Sequence, residues 1–364
     1  MWKINIRPEV IEIGKGIEEF IKDFFEWVTT SSSDCSYEDL VEQATTRDSK
    51  ISRVASSTKL KEFLALLTIC AEKKDIDSYY KSLTRSYEGM IDGVLPDALE
   101  LTSSSRELVD KIFGYFYENL LCSTHFQREY IPKYVGAADL KITIREIYGM
   151  AYKICPYCDI QWIGNLAHNS IDHFFPKSKY PLLSIFISNL IVSCTGCNDR
   201  LKKANMLLPT FHPHFHQTAD YFTFNFDESC SYISVDLNPE QLDTDKRVVN
   251  YFELFNLTNQ YCSIAYKLRN ERSDIRESVK RLFRAYNPSS EKNKVLKDIL
   301  NDELNRRLIQ VQYKKGEFEL TKVKNDFYKY LQTTSFELEY EFLMENLNIE
   351  REPSIVNRFE TILQ

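Results

Sequence analysis

Cys155-Pro-Tyr-Cys158, Ser170-Ile-Asp-His-Phe-Phe-Pro-Lys-Ser-Lys179, Ser188-Asn-Leu-Ile-Val-Ser-Cys194 and Thr195-Gly-Cys-Asn-Asp-Arg-Leu-Lys-Lys203 follow one another within some fifty residues, and their reading decides the fold. Two C-x-x-C pairs, with 35 residues between Cys158 and Cys194, are the usual way to present four thiolates to a tetrahedral zinc ion. The spacer exceeds the about 15 to 20 residues of a plain zinc ribbon, so a further structure is built inside the loop that the metal closes. A segment of roughly 50 residues with few large apolar side chains gains little from a core of its own, whereas structural zinc contributes on the order of 10 kcal/mol of folding free energy.

The rival reading of Cys155-Pro-Tyr-Cys158 is redox, because glutaredoxins carry the same tetrapeptide. There it follows a strand and opens a helix in a thioredoxin-like unit. Here the apolar spacing predicts a helix over Ile142–Tyr152 before the motif, stopped by Pro156, and the second pair has no role in a redox site. Zinc is the expected ligand of Cys155, Cys158, Cys194 and Cys197. Cys35, Cys70, Cys122, Cys230 and Cys262 show no pairing pattern and read as small packing residues.

Upstream, Ile17, Phe20, Ile21, Phe24, Phe25 and Val28 recur on one helix face, as do Leu60, Phe63, Leu64, Leu67 and Cys70. Ser104, three residues before Glu107, predicts a capping box for a helix with Leu108, Ile112, Phe113, Phe116 and Leu120 on its buried stripe. Downstream, Tyr221–Phe226 and Tyr232–Leu237 alternate like two strands of a hairpin turned at Asp227–Cys230. Helical patterns return over 246–285 and 291–313, broken at Pro288.

The chain has 364 residues, room for two or three domains, and its 43% hydrophobic and 27% charged composition excludes collagen-like, low-complexity and wholly disordered classes. The start, MWKINIRPEV, has no basic region followed by an apolar run, and no long uncharged apolar stretch occurs, so neither secretion nor a membrane partner is expected. A cytoplasmic setting, reducing for all nine cysteines, follows. The net charge of −7 hides opposed blocks: residues 151–205 carry 6 basic and 3 acidic side chains and 261–330 carry 17 and 10, inside an otherwise acidic chain. The second basic block is expected to extend a nucleic-acid track. The acidic flanks either repel nucleic acid from wrong faces or meet a partner protein.

Taken together, residues 155–203 resemble the HNH (ββα-metal, His-Me finger) endonuclease family. Its pattern is a C-x-x-C, D-H with a nearby P-K-S, N-L with a Cys five residues after the Asn, and a C-x-x-C followed by Asn or His and a basic run. The resemblance implies an α+β fold, predominantly helical, with an inserted ββα-metal module closed by structural zinc. It divides the chain into a helical N-terminal domain over residues 1–140, a zinc-stabilised nuclease module with the following hairpin at 141–245, and a helical region 246–364.

Phosphodiester hydrolysis needs a group to activate water and positive charge to stabilise the phosphate. His173, with an intrinsic pKa near neutrality, is the implied general base. Asp172 and Asn198 are the implied oxygen ligands of catalytic Mg²⁺ or Mn²⁺, with Asn198 where many members have the last His of the name. Asn189 is implied to brace the hairpin and orient the base. Lys177, Lys179, Arg200, Lys202 and Lys203 are the candidate phosphate contacts.

His168 reads as structural or exposed, and Phe211-His-Pro-His-Phe-His216 as a loop rather than a second metal site, because Pro213 interrupts it. Val248–Asn259, with Arg269 and Arg272, resembles the helix after the module in bacterial anti-phage defence nucleases of the Septu type, which work beside an ATPase. No G-x-x-x-x-G-K-[ST] pattern occurs, so any nucleotide-driven control requires a separate ATPase subunit. The expected function is an HNH endonuclease acting on DNA ahead of RNA, in antiviral defence. The alternative is a zinc-stabilised nucleic-acid or protein-binding module without catalysis.

Overall fold

Apolar residues recurring every three to four positions make most of this chain helical, as expected, and among the described residues two small two-stranded sheets interrupt the helices. The computed structural model describes residues 2–237 and 245–350. The stretch 238–244, at the end of the region read as the nuclease module and hairpin, and the end of the C-terminal region, 351–364, lie outside the described residues. No helix among the described residues is long and apolar enough to cross a membrane.

The described helices are α1 (Pro8–Thr30), α2 (Tyr37–Thr46), α3 (Lys50–Ala55), α4 (Leu60–Ile69), α5 (Lys73–Arg85), α6 (Tyr87–Ile91), α7 (Ser103–Glu118), α8 (Thr124–Tyr130) and α9 (Leu140–Ala151). They are followed by β1 (Asn169–His173), β2 (Leu190–Cys194), β3 (Phe222–Phe226) and β4 (Ile233–Leu237). Then come α10 (Asp245–Leu254), α11 (Leu257–Cys262), α12 (Ala265–Tyr286), α13 (Lys292–Tyr313), α14 (Thr321–Thr333) and α15 (Phe336–Leu347).

Contacts divide the chain into two units, 1–218 with 243–255, and 219–242 with 256–364. This differs from the threefold division expected from the sequence. The helices of the first 140 residues share one unit with the cysteine segment because their aromatic stripes form a common core with it, and the β3–β4 hairpin packs with the C-terminal helices instead.

In the first unit α1 is central, touching α3, α4, α5, α8 and α9. Phe20 meets Phe116 and Phe126 edge-on at 5.1 and 5.3 Å, and Phe24 meets Phe116 at 5.1 Å. Gly16 is required where α1 passes α8, since a Cβ there would lie 2.5 Å from the Tyr130 carbonyl oxygen. The cap of α7 is Thr102, not Ser104. Its hydroxyl accepts from the Ser105 N–H at 3.3 Å while Glu72 accepts from the Thr102 N–H and hydroxyl, both at 2.9 Å.

In the second unit β3 pairs antiparallel with β4 from Phe222–Leu237 to Phe226–Ile233, and β3 lies on α14. Asp227 holds the turn by accepting from the Ser231 and Tyr232 N–H groups. The helical pattern of 246–285 is broken into α10, α11 and α12, because Asn256 adopts a left-handed conformation (φ 46°) and the chain turns again at Ser263. Part of the basic block expected to form a track is paired inside this unit. Arg272 and Arg276 pair with the buried Glu339, Arg306 and Arg307 with Glu303, and Lys322 with Asp326.

Candidate functional site

A β-hairpin and a following turn are present within the first unit. β1 and β2 pair antiparallel, with Asn169 opposite Cys194, Asp172 opposite Ile191 and His173 opposite Leu190. Cys194 ends β2 and the chain enters a wide helical turn, Gly196–Lys202, closed by the Lys203 N–H on the Asn198 carbonyl five residues back. The first cysteine pair lies in a tight reversal, where Ile154 bridges Trp162 and Asp159 takes a left-handed conformation (φ 55°). No helix opens at Cys155, so the arrangement a redox motif needs is not there.

Cys155, Cys158, Cys194 and Cys197 are all buried and their sulfurs lie within 4.8 Å of one another. A tetrahedral zinc with bonds of about 2.3 Å holds its sulfurs about 3.8 Å apart, so the four fit such a metal. Backbone donors already point at the sulfurs, the Cys194 N–H to Cys155 Sγ at 3.4 Å and the Cys197 N–H to Cys194 Sγ at 3.3 Å. Burial opposes ionisation of Cys155, yet hydrogen bonds from Cys158, Cys194 and Cys197 hold its thiol well below the usual range. Their bonds to Cys155 push Cys158 and Cys197 up. Loading with zinc would therefore release protons from the cluster. Helix α10 covers this centre: Phe255, just beyond it, stacks on Tyr157 at 4.3 Å, and the Tyr251 hydroxyl donates to the Tyr157 carbonyl at 2.6 Å.

The alternation of β1 sends Asp172 and His173 to opposite sides. His173 is partly exposed, and its Nε2 lies 3.0 Å from the Ser184 carbonyl oxygen. A carbonyl only accepts, so Nε2 carries the proton and Nδ1 keeps its lone pair. Burial lowers this imidazole to about 4, opposed by the Ser184 bond and reinforced by Lys177 and Lys202, so it is neutral at physiological pH. The Tyr117 ring from α7 meets it edge-on at 4.5 Å.

Asn189 is fully buried and uses both ends of its amide. Oδ1 accepts from the Phe175 N–H at 2.7 Å and the Tyr87 hydroxyl at 3.0 Å, while Nδ2 donates to the Phe175 and Leu183 carbonyls, both at 3.1 Å. It thereby fixes the chain after His173 and the loop whose next carbonyl, Ser184, holds that histidine. Asn198 donates from Nδ2 to Ser170 Oγ at 2.9 Å and the Ile171 carbonyl at 3.2 Å, pinning the wide turn to β1.

Two expectations need correction. Lys202 is not available to a phosphate: it is 1% exposed, and its Nζ lies 2.8 Å from Asp172 Oδ1 and 2.8 Å from the His173 carbonyl. Asp172, 2% exposed, is no open metal ligand, since its other oxygen accepts from the Tyr157 hydroxyl at 2.7 Å. Burial raises the Asp172 carboxyl above its ordinary range, with the Lys202 ammonium and Tyr157 hydroxyl pulling the other way. Both neighbours are donors, which fits an ionised carboxylate.

Lys177, Lys179, Arg200 and Lys203 are exposed. Lys177 pairs with Glu118 at 2.7 Å and lies 5.0 Å over the Tyr117 ring, beside His173. His168 is exposed near Trp162. His212, His214 and His216 form hydrogen bonds within a turn: the His214 N–H donates to His212 Nδ1 and the His212 N–H to His216 Nδ1, both at 3.1 Å.

Several contributors were not foreseen. Arg145 of α9 donates to the Asn169 side chain at 2.8 Å and to its carbonyl at 2.6 Å, anchoring the start of β1. Tyr87 and Tyr117 reach the hairpin from α6 and α7, and the Ser184 hydroxyl donates to the Phe113 carbonyl at 3.0 Å. Only Tyr157 carried a signal, its place inside the first cysteine pair. Tyr87 and Tyr117 are far from the hairpin in sequence, and no local pattern marks Arg145 or Ser184.

Fold and site define a mostly helical α+β protein with a buried four-cysteine centre beside a strand-borne histidine. No protein-family model matches the chain, and no solved structure matches it. It is similar to Protein ea31 of Escherichia phage lambda, with 28% identity over 150 residues, 37% of this chain and 49% of that protein. The chain thus spans about half the length of the curated relative it matches.

Proposed function

We propose that this chain is an HNH-type endonuclease that hydrolyses nucleic-acid phosphodiesters, DNA ahead of RNA. The observation that carries the reading is the state of His173: a neutral imidazole with Nε2–H donated to Ser184 and Nδ1 left as an acceptor. Water placed at Nδ1 would lose its proton to the ring as it attacks phosphorus, and Tyr117 and the Ser184 carbonyl would keep the ring from turning. Asn189 acts through the Ser184 loop as a positioning residue. Lys177, Lys179, Arg200 and Lys203 offer charge to the phosphate backbone.

The family resemblance also calls for Mg²⁺ or Mn²⁺, whose chemistry is to stabilise charge on the phosphate. As the side chains are packed, Asp172 does not fit that ion. The Asp172 oxygens are engaged by Lys202 and Tyr157, while Asn198 donates from Nδ2 to Ser170 Oγ and the Ile171 carbonyl. No step is assigned to a divalent cation here. Structural zinc at the four cysteines, a cytoplasmic setting, a separate ATPase partner and a role in anti-phage defence complete the proposal, the last two resting on the Septu-type resemblance.

The test is incubation of zinc-loaded protein with supercoiled plasmid and, separately, with pooled tRNA. Nicking or RNA cutting by wild type and not by His173→Ala supports the reading and names the substrate class. Tight binding without cutting under every ionic condition favours the non-catalytic module.

A further inference from the structure

We propose that Lys202 is the resident cation of this site, seated where the nuclease reading would place a divalent metal, so that Asp172 does not take up Mg²⁺ or Mn²⁺. The proposal rests on that reading for its catalytic meaning and on geometry for its substance. The ammonium lies 2.8 Å from Asp172 Oδ1 and 2.8 Å from the His173 carbonyl, on the side of β1 that faces the wide turn. These are an anionic and a neutral oxygen, the kind of pair a hard cation selects.

Three further observations support this seat. Tyr157 donates to the remaining Asp172 oxygen at 2.7 Å, so both oxygens already face donors. Asn198 Nδ2 donates to Ser170 Oγ and to the Ile171 carbonyl, which ties the wide turn that carries Lys202 to β1. Lys202 and Asp172 are 1% and 2% exposed, so an incoming ion would strand a buried ammonium without its partner, which is strongly unfavourable. The sequence builds this seat locally. The wide turn brings Lys202 back over β1, and Lys203, with a positive φ of 50°, ends the turn and is exposed.

Lys202 is accordingly a positioning residue: it neutralises Asp172 and holds the His173 backbone, but does not reach a substrate. The positive charge that touches phosphate falls to the exposed Lys177, Lys179, Arg200 and Lys203.

Two measurements on the full-length, zinc-loaded chain test this. In a Mn²⁺ titration followed by the EPR signal of the free ion, wild type and Asp172→Asn should bind alike. Lys202→Ala should gain one site, with affinity improved roughly tenfold or more, that is lost again in the Lys202→Ala/Asp172→Asn double variant. A Mn²⁺ ion bound by wild type and lost in Asp172→Asn would overturn the proposal. The second measurement needs no variant: lysine acetylation read by mass spectrometry should modify Lys203 and spare Lys202 both with and without millimolar Mg²⁺. Mg²⁺-dependent labelling of Lys202 would equally overturn it. Neither readout is a cleavage assay, so an inactive protein removes the nuclease reading and leaves the Lys202 result standing.

Discussion

Asn189 and His173 are fastened to adjacent carbonyls: the Asn189 amide donates to Leu183 at 3.1 Å and the His173 ring to Ser184 at 3.0 Å. The orientation of the histidine therefore depends on a buried amide that never touches it. Replacing Asn189 by Ala removes four hydrogen bonds and leaves buried partners unpaired. The expected destabilisation is about 3 kcal/mol or more in urea unfolding. At temperatures where the variant is still folded, its single-turnover cleavage should also fall while substrate affinity stays near wild type. Unchanged turnover in the folded variant would separate Asn189 from the proposed role of His173.

The cysteine centre should behave as a structural element. Cys158→Ser is expected to release the metal and unfold the hairpin region, a loss on the order of several kcal/mol, whereas His173→Ala keeps one zinc per chain and a near-native melt. Zinc content by mass spectrometry and thermal unfolding of the two variants provide the check. Equal melting behaviour of the two contradicts the division of roles.

Acid should weaken the first unit through His214, whose Nδ1 lies 3.2 Å from the Ile4 carbonyl. Burial lowers its imidazole to about 4, against about 6.5 in an unfolded chain. The folded value is the lower one, so on acidification the unfolded chain takes up the proton first. The stabilisation is therefore present above about pH 6.5 and drains as the pH falls toward 4. Between about pH 7 and pH 5 this residue accounts for about 2 kcal/mol. Urea melts of wild type and His214→Gln at both pH values, with zinc content monitored, should show the larger loss in wild type. Parallel losses would exclude His214 as the cause.

Lys177 divides its charge between Glu118 and open solvent. Such exposed pairs contribute about 0 to 1 kcal/mol, so Lys177→Ala should leave the melting temperature nearly unchanged. If Lys177 meets a phosphate, the same substitution weakens nucleic-acid binding across sequences and reduces the slope of log affinity against log salt by about 1. Binding isotherms at several salt concentrations decide it. A slope equal to wild type removes Lys177 from the interface.

The sequence made the local elements legible and left the long-range contacts hidden. Cysteine spacing announced the four-sulfur cluster because each C-x-x-C is a complete local unit, and strand alternation set Asp172 and His173 on opposite sides of β1. Asn189 was legible as a brace, though not its link to Tyr87 about a hundred residues earlier. Lys202 looked like one more lysine in a basic run. Only the wide turn, whose extra residue leaves no mark in composition, brings it under β1 and onto Asp172. Charge counts likewise do not show that Arg272, Arg276 and Arg307, within the basic block 261–330, face carboxylates of their own unit.

The most direct test of the account is the single-turnover cleavage rate of His173→Ala relative to wild type, on whichever nucleic acid the wild type cuts, with zinc content matched. A general base contributes on the order of 10² to 10⁴ in rate, so the account predicts a loss of that size with substrate affinity retained. A zinc-replete, folded His173→Ala protein that cuts at the wild-type rate would contradict it.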